Sequence, residues 1–421
     1  MIGEELPIQV KMQISAINHY DVIVVGGGCA GFSAAVASGR NGASTLLIEQ
    51  FPFLGGTATA SLMGNMVGFR NQSLPNNRQV CRGIAEELML GLLAEGGAEQ
   101  TRNAYHTEGG PFSDVSGDLS YSYAVDTEKL KYLTLKMAVE AGVRILFHTY
   151  FIEPIVENAK VIGIIYAGKT GLEAAYGKTI IDATGDADVA VRAGVTCYRA
   201  IDDGSKHLHN CLMFKVRGFD ETSIDLRCCV HNGEMIVWGP TCEEGDATDT
   251  EQLAQMEIDT RLRVYEYFDK LRKKHPCLAK AYIADTGCLL GIRQTRFIKG
   301  VYTLTQDDVL CGRIFDDTIT LAINPVMEYF GYRKYLKHEG YGIPYRCLLP
   351  EKVNGILVAG RCISADQCAF ESYRAMAHIL NIGEAAGTAA ALSAQTGMEL
   401  RDLDIHCLQK QLKNQGMELG F

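Results

Sequence analysis

Residues 21–50 read DVIVVGGGCAGFSAAVASGRNGASTLLIEQ, and the changes of pattern within this stretch decide the fold class. DVIVV at 21–25 is a short β-branched run of strand type. Gly26-x-Gly28-x-x-Gly31 follows at once, and small apolar residues from Ala30 to Arg40 then suit a helix. A second apolar run, Thr45 to Ile48, ends in Glu49 and completes a β-α-β unit of about thirty residues, the size of a mononucleotide-binding half. Two strands joined by a helical crossover run parallel. Of the three glycines, one permits the tight strand-to-helix turn, one lets backbone approach a pyrophosphate, and one allows helix and strand to pack closely, with anionic oxygens meeting the helix N-terminus. Glu49 lies 23 residues after Gly26, where a carboxylate accepts hydrogen bonds from ribose hydroxyls and repels a 2′-phosphate. These features specify a dinucleotide site that disfavours NADP; they leave FAD and NAD both open.

Outward from that unit, Asp126 reads as the N-cap of a helix to about Ala141, with Leu130, Leu133, Met137 and Val139 as apolar positions and Gly142 as the stop. Residues 143–149, Val161–Ala167 and Lys178–Ala183 read as strands, with GKTG at 168–171 as a hairpin turn. From about 200 to 345 aromatics and charges increase, and a long helix from Thr250 to Lys274 halts before Pro276. Gly355–Ala359 is again a buried-strand pattern and Gly383–Ala394 a small-residue helix. The organisation expected is a first domain over 20–198, an insertion over 199–345 and a return to the first domain over 346–421.

Composition narrows the function classes. Hydrophobic residues make up 47% and charged residues 21% of the 421 residues, the balance of an ordinary globular chain. A net charge of −10 without a long basic run argues against a nucleic-acid partner. No apolar stretch is long enough to span a bilayer. The 14 cysteines contain no C-x-x-C, which argues against zinc ribbons, iron–sulfur ligation and a thioredoxin-like pair. So many unpaired thiols, behind a first segment lacking a continuous hydrophobic core, lead us to expect a cytoplasmic protein. His207 and His209 form an H-x-H that no neighbouring acid or Cys pattern completes, so no metal site is expected.

Four stretches together resemble the FAD-dependent oxidoreductase family, distantly related to the fumarate reductase and succinate dehydrogenase flavoproteins. They are residues 21–50 with FPFLGGTAT after them, IIDATGDADVAVRAG at 180–194, GIRQTRFIKGVYTLTQDD at 291–308, and IPYRCLLPEKVNGILVAGRCISADQCAFESYRAMAHILNIGEAAGTAAAL at 343–392. The resemblance implies an α/β fold, a Rossmann-like FAD-binding domain of glutathione-reductase type with an inserted α+β substrate domain. It implies that Gly26, Gly28 and Gly31 face the FAD pyrophosphate, Glu49 the adenosine ribose, and Gly55, Gly56 and Thr57 the ribityl and flavin. Ala183, Thr184 and Gly185 would lie along the adenosine half. Gly360, Arg361 and Asp366 would serve the pyrophosphate and ribityl, and Gly383, Ala386, Gly387 and Thr388 the helix whose N-terminus points toward the flavin. Some relatives attach flavin through a His after the second strand; none occurs between Gly55 and Asn65. FAD is therefore expected to be non-covalent, with Cys29 a small packing residue.

No strand-linked second G-x-G-x-x-G occurs between 151 and 345. Substrate is then expected to approach under the inserted unit, with electrons passing to or from an unidentified donor or acceptor. The expected reaction is hydride transfer between flavin N5 and a small polar substrate. The alternatives are an electron-transfer or scaffold subunit and, further off, an NAD-dependent dehydrogenase. Arg293, Arg346, Tyr345 and His378 are the catalytic candidates, with Arg296 and Arg374 beside them. An Arg can clamp a carboxylate and a Tyr or His can exchange a proton, although the same residues serve equally as ion pairs or satisfied core groups. The segment Tyr105–Tyr123 reads as an exposed connection that could act as a lid. Small homo-oligomers are compatible with all of this, with no direct sequence signal for them.

Overall fold

The computed structural model describes residue 14 and residues 17–71, 78–100, 118–119, 121–199, 202, 209–220, 233–242, 245–327 and 333–421. Its centre is a seven-stranded sheet. Five strands run parallel in the spatial order Arg144–Leu146, Thr45–Ile48, Ile17–Val25, Gly171–Asp182, Ile356–Val358. The twelve-residue strand Gly171–Asp182 joins two regimes. Its last residues, Ile180–Asp182, pair in parallel with Ile356–Val358, while Gly171–Tyr176 pair antiparallel with Lys160–Gly168, which in turn pairs with Tyr150–Glu157. The hairpin thus extends the main sheet. Register carries the functional consequence: Val25 lies beside Ile48 on one side and Asp182 on the other, and Asp182 lies beside Val358. Four strands end level, and the chain leaves them at Gly26, Glu49, Ala183 and Ala359. Crevices outside such carboxyl ends are where open parallel sheets hold ligands.

Both faces of the parallel strands are covered, so Val22, Ile23 and Val24 are fully buried, as a continuous β-branched run requires. The helix Cys29–Arg40 lies on one face and packs lengthwise on the helix Met376–Thr396. Their separation is set by two glycines one turn apart. A Cβ on Gly383 would sit 2.1 Å from the Ala30 carbonyl oxygen, and one on Gly387 2.1 Å from that of Ala34. This corrects the reading of Gly383, Ala386, Gly387 and Thr388 as the start of a helix facing the ligand. The helix begins at Met376, so these four are mid-helix packing positions, and the Thr388 hydroxyl donates to the Glu384 carbonyl at 2.8 Å.

The helices expected at 126–141 and 250–274 are present as Thr127–Glu140, capped by the Asp126 carboxylate, and Thr250–Lys274, capped by Asp249. The latter buries Met256, Thr260, Val264 and Phe268, a four-residue spacing that makes one apolar stripe. It covers a three-stranded sheet in which Phe214–Arg217 lies between Glu234–Val237 and Tyr282–Thr286. This separate core draws on residues 212–290, a narrower span than 199–345. Phe297, Leu304, Phe315, Ile319, Tyr341 and Tyr345 belong instead to the main core, because the strand Thr318–Ala322 packs on the helix Met376–Thr396. No helix among the described residues is long and apolar enough to cross a membrane.

Candidate functional site

A cavity of about 710 Å³ opens at the carboxyl ends of the parallel strands and is lined as well by Ala247, Leu253, Glu257 and Leu289–Arg293; its volume is within the usual range for cofactor and small-molecule sites. Its sheet end is built by the glycine turn. Gly26 adopts φ +94°, and a Cβ there would lie 2.7 Å from the Ala183 carbonyl oxygen. Gly28 is the N-cap of the helix Cys29–Arg40 and offers no side-chain acceptor to its first amides, which leaves those donors for an anion. Gly28 and Gly56 line the cavity, and a Cβ on Gly56 would be 2.8 Å from the Gly28 Cα. The turn at Gly55–Thr57 is held there by the Gly55 amide donating to the Gly27 carbonyl at 2.9 Å. Gly31 does not reach the cavity. Its Cβ would fall 1.7 Å from the Gly26 carbonyl oxygen, so this glycine acts through helix-to-turn packing.

Glu49 lines the cavity and is pinned by the Gly27 amide at 2.6 Å and the Phe51 amide at 2.9 Å. Burial raises its carboxyl above the usual carboxylate range against the pull of those amides. Across the turn, Ala183, Thr184 and Gly185 line the wall. Beneath them Asp182, fully buried, accepts from the Thr184 amide, the Thr184 hydroxyl and the Ala190 amide at 3.1, 2.7 and 2.9 Å. Burial pushes Asp182 up to about 6. Sequence reading placed the Ala183–Gly185 turn but assigned nothing to Asp182, which fixes it.

Gly360 and Arg361 also line the cavity. Arg361 pairs with Asp186 at 2.5 Å, donates to the Ile292 carbonyl at 3.2 Å, and keeps a buried Nε without a protein partner. That orphaned donor and the glycine cradle, which any Cβ would fill, fit a phosphate-bearing dinucleotide. Asp366, by contrast, caps the helix Gln367–Tyr373 through the Ala369 amide at 2.8 Å and accepts the Gln306 amide at 2.6 Å. It is not on the cavity wall; its place in the motif is that of a capping residue.

Of Arg293, Arg346, Tyr345 and His378, Arg293 lines the cavity and the other three do not. The Tyr345 hydroxyl is buried and donates to the Leu400 carbonyl at 3.0 Å, and burial pushes its acidity well away from any proton-exchange range. Arg346 is held by two bonds to Asp317, at 2.8 and 3.0 Å. His378 is fully buried; its Nε2 accepts the Ile323 amide at 3.2 Å, and burial lowers its pKa to about 4, so the ring stays neutral. Arg296 pairs with Asp188 at 3.0 Å. Arg374, Ala375 and Met376 do line the wall, so the N-terminus of the long helix meets the cavity seven residues before the sequence reading put it. Ser61, Cys211, Glu257 and Leu289 also contribute and were missed, since no motif marks them and only the fold brings them together. Cys29 lines the cavity as a thiol raised to about 12 by burial. Most of 105–123 and His207 lie outside the described residues, and no group of three or more His, Cys, Asp or Glu among the described residues could hold a metal ion.

A family model described as FAD dependent oxidoreductase matches residues 21–232 and 226–412. Digeranylgeranylglycerophospholipid reductase 2 of Methanothermobacter thermautotrophicus is 29% identical over 204 residues, 48% of this chain and 48% of that protein. The chain therefore spans about half the length of that curated relative. Among solved structures, the flavin-dependent brominase Bmp2 shares the fold at 14% identity and a TM-score of 0.50, over 94% of this chain and 83% of its own. A geranylgeranyl bacteriochlorophyll reductase-like protein from Thermoplasma acidophilum aligns over 96% of this chain and 85% of its own, at 14% identity and a TM-score of 0.49.

Proposed function

Since the chain belongs to the FAD dependent oxidoreductase family, we propose that it is a dehydrogenase or reductase that exchanges hydride between flavin N5 and a small polar substrate taken up beneath the inserted unit. The observation that carries this reading is the continuity of one cavity from the glycine turn to Leu289–Arg293 and Arg374–Met376. FAD, when bound, supplies two-electron redox chemistry; the protein's share is binding, orientation and charge. The amides at the start of the helix Cys29–Arg40 would hold the pyrophosphate, Glu49 the ribose hydroxyls, and Gly360 with Arg361 the adjoining phosphate and ribityl. The start of the helix Met376–Thr396 directs a positive dipole end at the cavity, which would favour negative charge on a reduced flavin held there. Leu253, Leu289 and Leu290 supply apolar surface to the cavity wall.

Attachment is proposed to be non-covalent. A neutral Cys29 thiol is a poor nucleophile. The two-part FAD-binding domain, 20–198 with 346–421, and the substrate unit within 199–345 are proposed as the functional division, with electrons supplied or removed by a separate partner. An anaerobic screen of small polar alcohols and acids against the flavin-loaded chain, read as bleaching of the flavin band, tests the reaction. Bleaching by a small molecule supports a dehydrogenase, and reoxidation of prereduced protein by an unsaturated one supports a reductase. If no small molecule changes the spectrum while a protein partner does, the electron-transfer subunit takes the place of this reading.

A further inference from the structure

Arg293 is anomalous among the charged groups of the cavity wall. Among the described residues, the other charges are matched. Asp186 pairs with Arg361, Asp188 with Arg296, Arg192 with Glu153, and Arg374 with Glu371. Glu257 is taken up by Arg261 at 3.1 Å and by the Leu290 amide at 2.5 Å, and Glu49 by backbone amides. Among the described residues, Arg293 meets no carboxylate at ion-pair distance. Its Nε donates to the His209 carbonyl at 2.7 Å, its backbone amide to Asn210 at 2.9 Å, and its side-chain neighbour is the Cys211 thiol. A guanidinium partly withdrawn from water, whose nearest acid, Glu371, is shared with Arg374, is costly unless a ligand supplies a further counter-charge.

A second cation stands beside it. Arg374 also lines the cavity, and its charge acts on Arg293. The pair is braced from behind. The Arg374 Nε bonds Glu371 at 3.0 Å, Glu371 accepts from Gln367 at 2.9 Å, and Gln367 accepts from Gln294, the residue next to Arg293. Glu371 is 5% exposed; among the described residues it is the single acid set against the two arginines, and these three groups together carry a net charge of +1. Met63, Val67, Leu289 and Met376 add apolar surface to the same cavity, together with the uncharged polar Ser61 and Asn65.

Building on the reading of a substrate cavity beneath the inserted unit, we propose that Arg293 and Arg374 form a carboxylate clamp, and that the substrate is a small organic acid bearing one carboxylate and an apolar body. Two guanidiniums fixed by Glu371 and the His209 carbonyl supply planar, paired donors of the kind a carboxylate accepts. One carboxylate cancels the excess charge, whereas the second anion of a dicarboxylate would find no further unpaired cation among the described residues of the wall, since Arg361 and Arg192 are already paired. Gln294, Gln367 and Glu371 are positioning residues that act through the clamp.

Calorimetric titration of the protein as isolated with benzoate and with benzamide tests the clamp, because the two probes have the same ring and differ in charge. Flavin absorbance is followed in parallel. Benzoate should bind and benzamide should bind at least about tenfold more weakly. Arg293→Met and Arg374→Met should each weaken benzoate at least about tenfold while leaving FAD affinity within about threefold. Arg293→Lys should recover part of the benzoate affinity, since it restores charge without the fork. Equal binding of the two probes overturns the proposal. So does an Arg293→Met protein that keeps its circular dichroism but no longer holds FAD, since Arg293 would then belong to the cofactor. If the wild-type protein takes up no FAD, the proposed function fails; the benzoate and benzamide titrations of that flavin-free protein still decide the clamp separately.

Discussion

Replacing Glu384 by Gln should change the pH dependence of stability in a direction fixed by the structure. Glu384 sits on the helix Met376–Thr396 at 2% exposure, and one carboxyl oxygen accepts the Ile84 amide at 2.7 Å. It thereby caps the helix Ile84–Ala94, whose own N-cap is Gly83 and offers no side chain. The groups around it are Arg40, which favours the charged form, and Glu87, which opposes it; Glu86 lines the same small cavity, and Arg40 is itself paired with Glu87 at 2.5 Å. Burial dominates and pushes Glu384 from 4.5 up to about 8. An acid with a raised folded-state pKa contributes stability that is fully present below the unfolded value and lost as pH rises through the folded one. The loss therefore falls between pH 4.5 and about 8, with a limiting slope of about 1.4 kcal/mol per pH unit and an upper bound of roughly 5 kcal/mol. Gln keeps an acceptor for the Ile84 amide and cannot ionise. The difference in stability between wild type and Glu384→Gln should thus move in the variant's favour by several kcal/mol from pH 5 to pH 9. Urea titrations followed by helical circular dichroism measure it. A difference that stays flat across that range refutes the assignment of a neutral buried acid.

Other substitutions separate packing from chemistry. Gly31→Ala would drive a methyl into the Gly26 carbonyl oxygen, 1.7 Å from its Cβ, so it should deform the turn and cut FAD retention on gel filtration by more than tenfold; full retention would refute the packing role. Gly387→Val should wedge the two long helices apart at the Ala34 carbonyl and cost about 1–3 kcal/mol in denaturant unfolding, the usual penalty of overpacking. Tyr345→Phe removes one buried hydrogen bond to Leu400 and should cost about 1 kcal/mol with turnover unchanged within about twofold, measured on the flavin-loaded enzyme with whichever substrate bleaches it.

The dinucleotide half was legible because its physics is local. A β-branched run, three glycines and an acid in short succession leave few backbone solutions, and Val25, Gly26, Gly28 and Glu49 all line the cavity at the end of the strands. The same locality made the Asp126 and Asp249 caps readable. What failed was long-range. Tyr150–Glu157, over which no strand is expected, carries Pro154; it lies at the outer edge of the sheet, where Pro is tolerated in a strand. The glycines at 383 and 387 match a helix start in sequence, yet they serve the approach of Ala30 and Ala34, a contact no local window contains. Arg346, Tyr345 and His378 belong to chemically plausible residue types, but each finds its partner in the fold, in Asp317, Leu400 and Ile323. Arg293 and Arg374, 81 positions apart, line one cavity only in the folded chain.

The central claim, that the glycine turn and the returning C-terminal segment hold FAD without a covalent bond, is tested most directly by the absorbance spectrum of the purified protein before and after acid precipitation. Chromatography of the supernatant identifies the chromophore. The account predicts a yellow protein, a colourless pellet and FAD in the supernatant. A pellet that stays yellow contradicts the non-covalent attachment, and a colourless protein that takes up no added FAD contradicts the central claim itself.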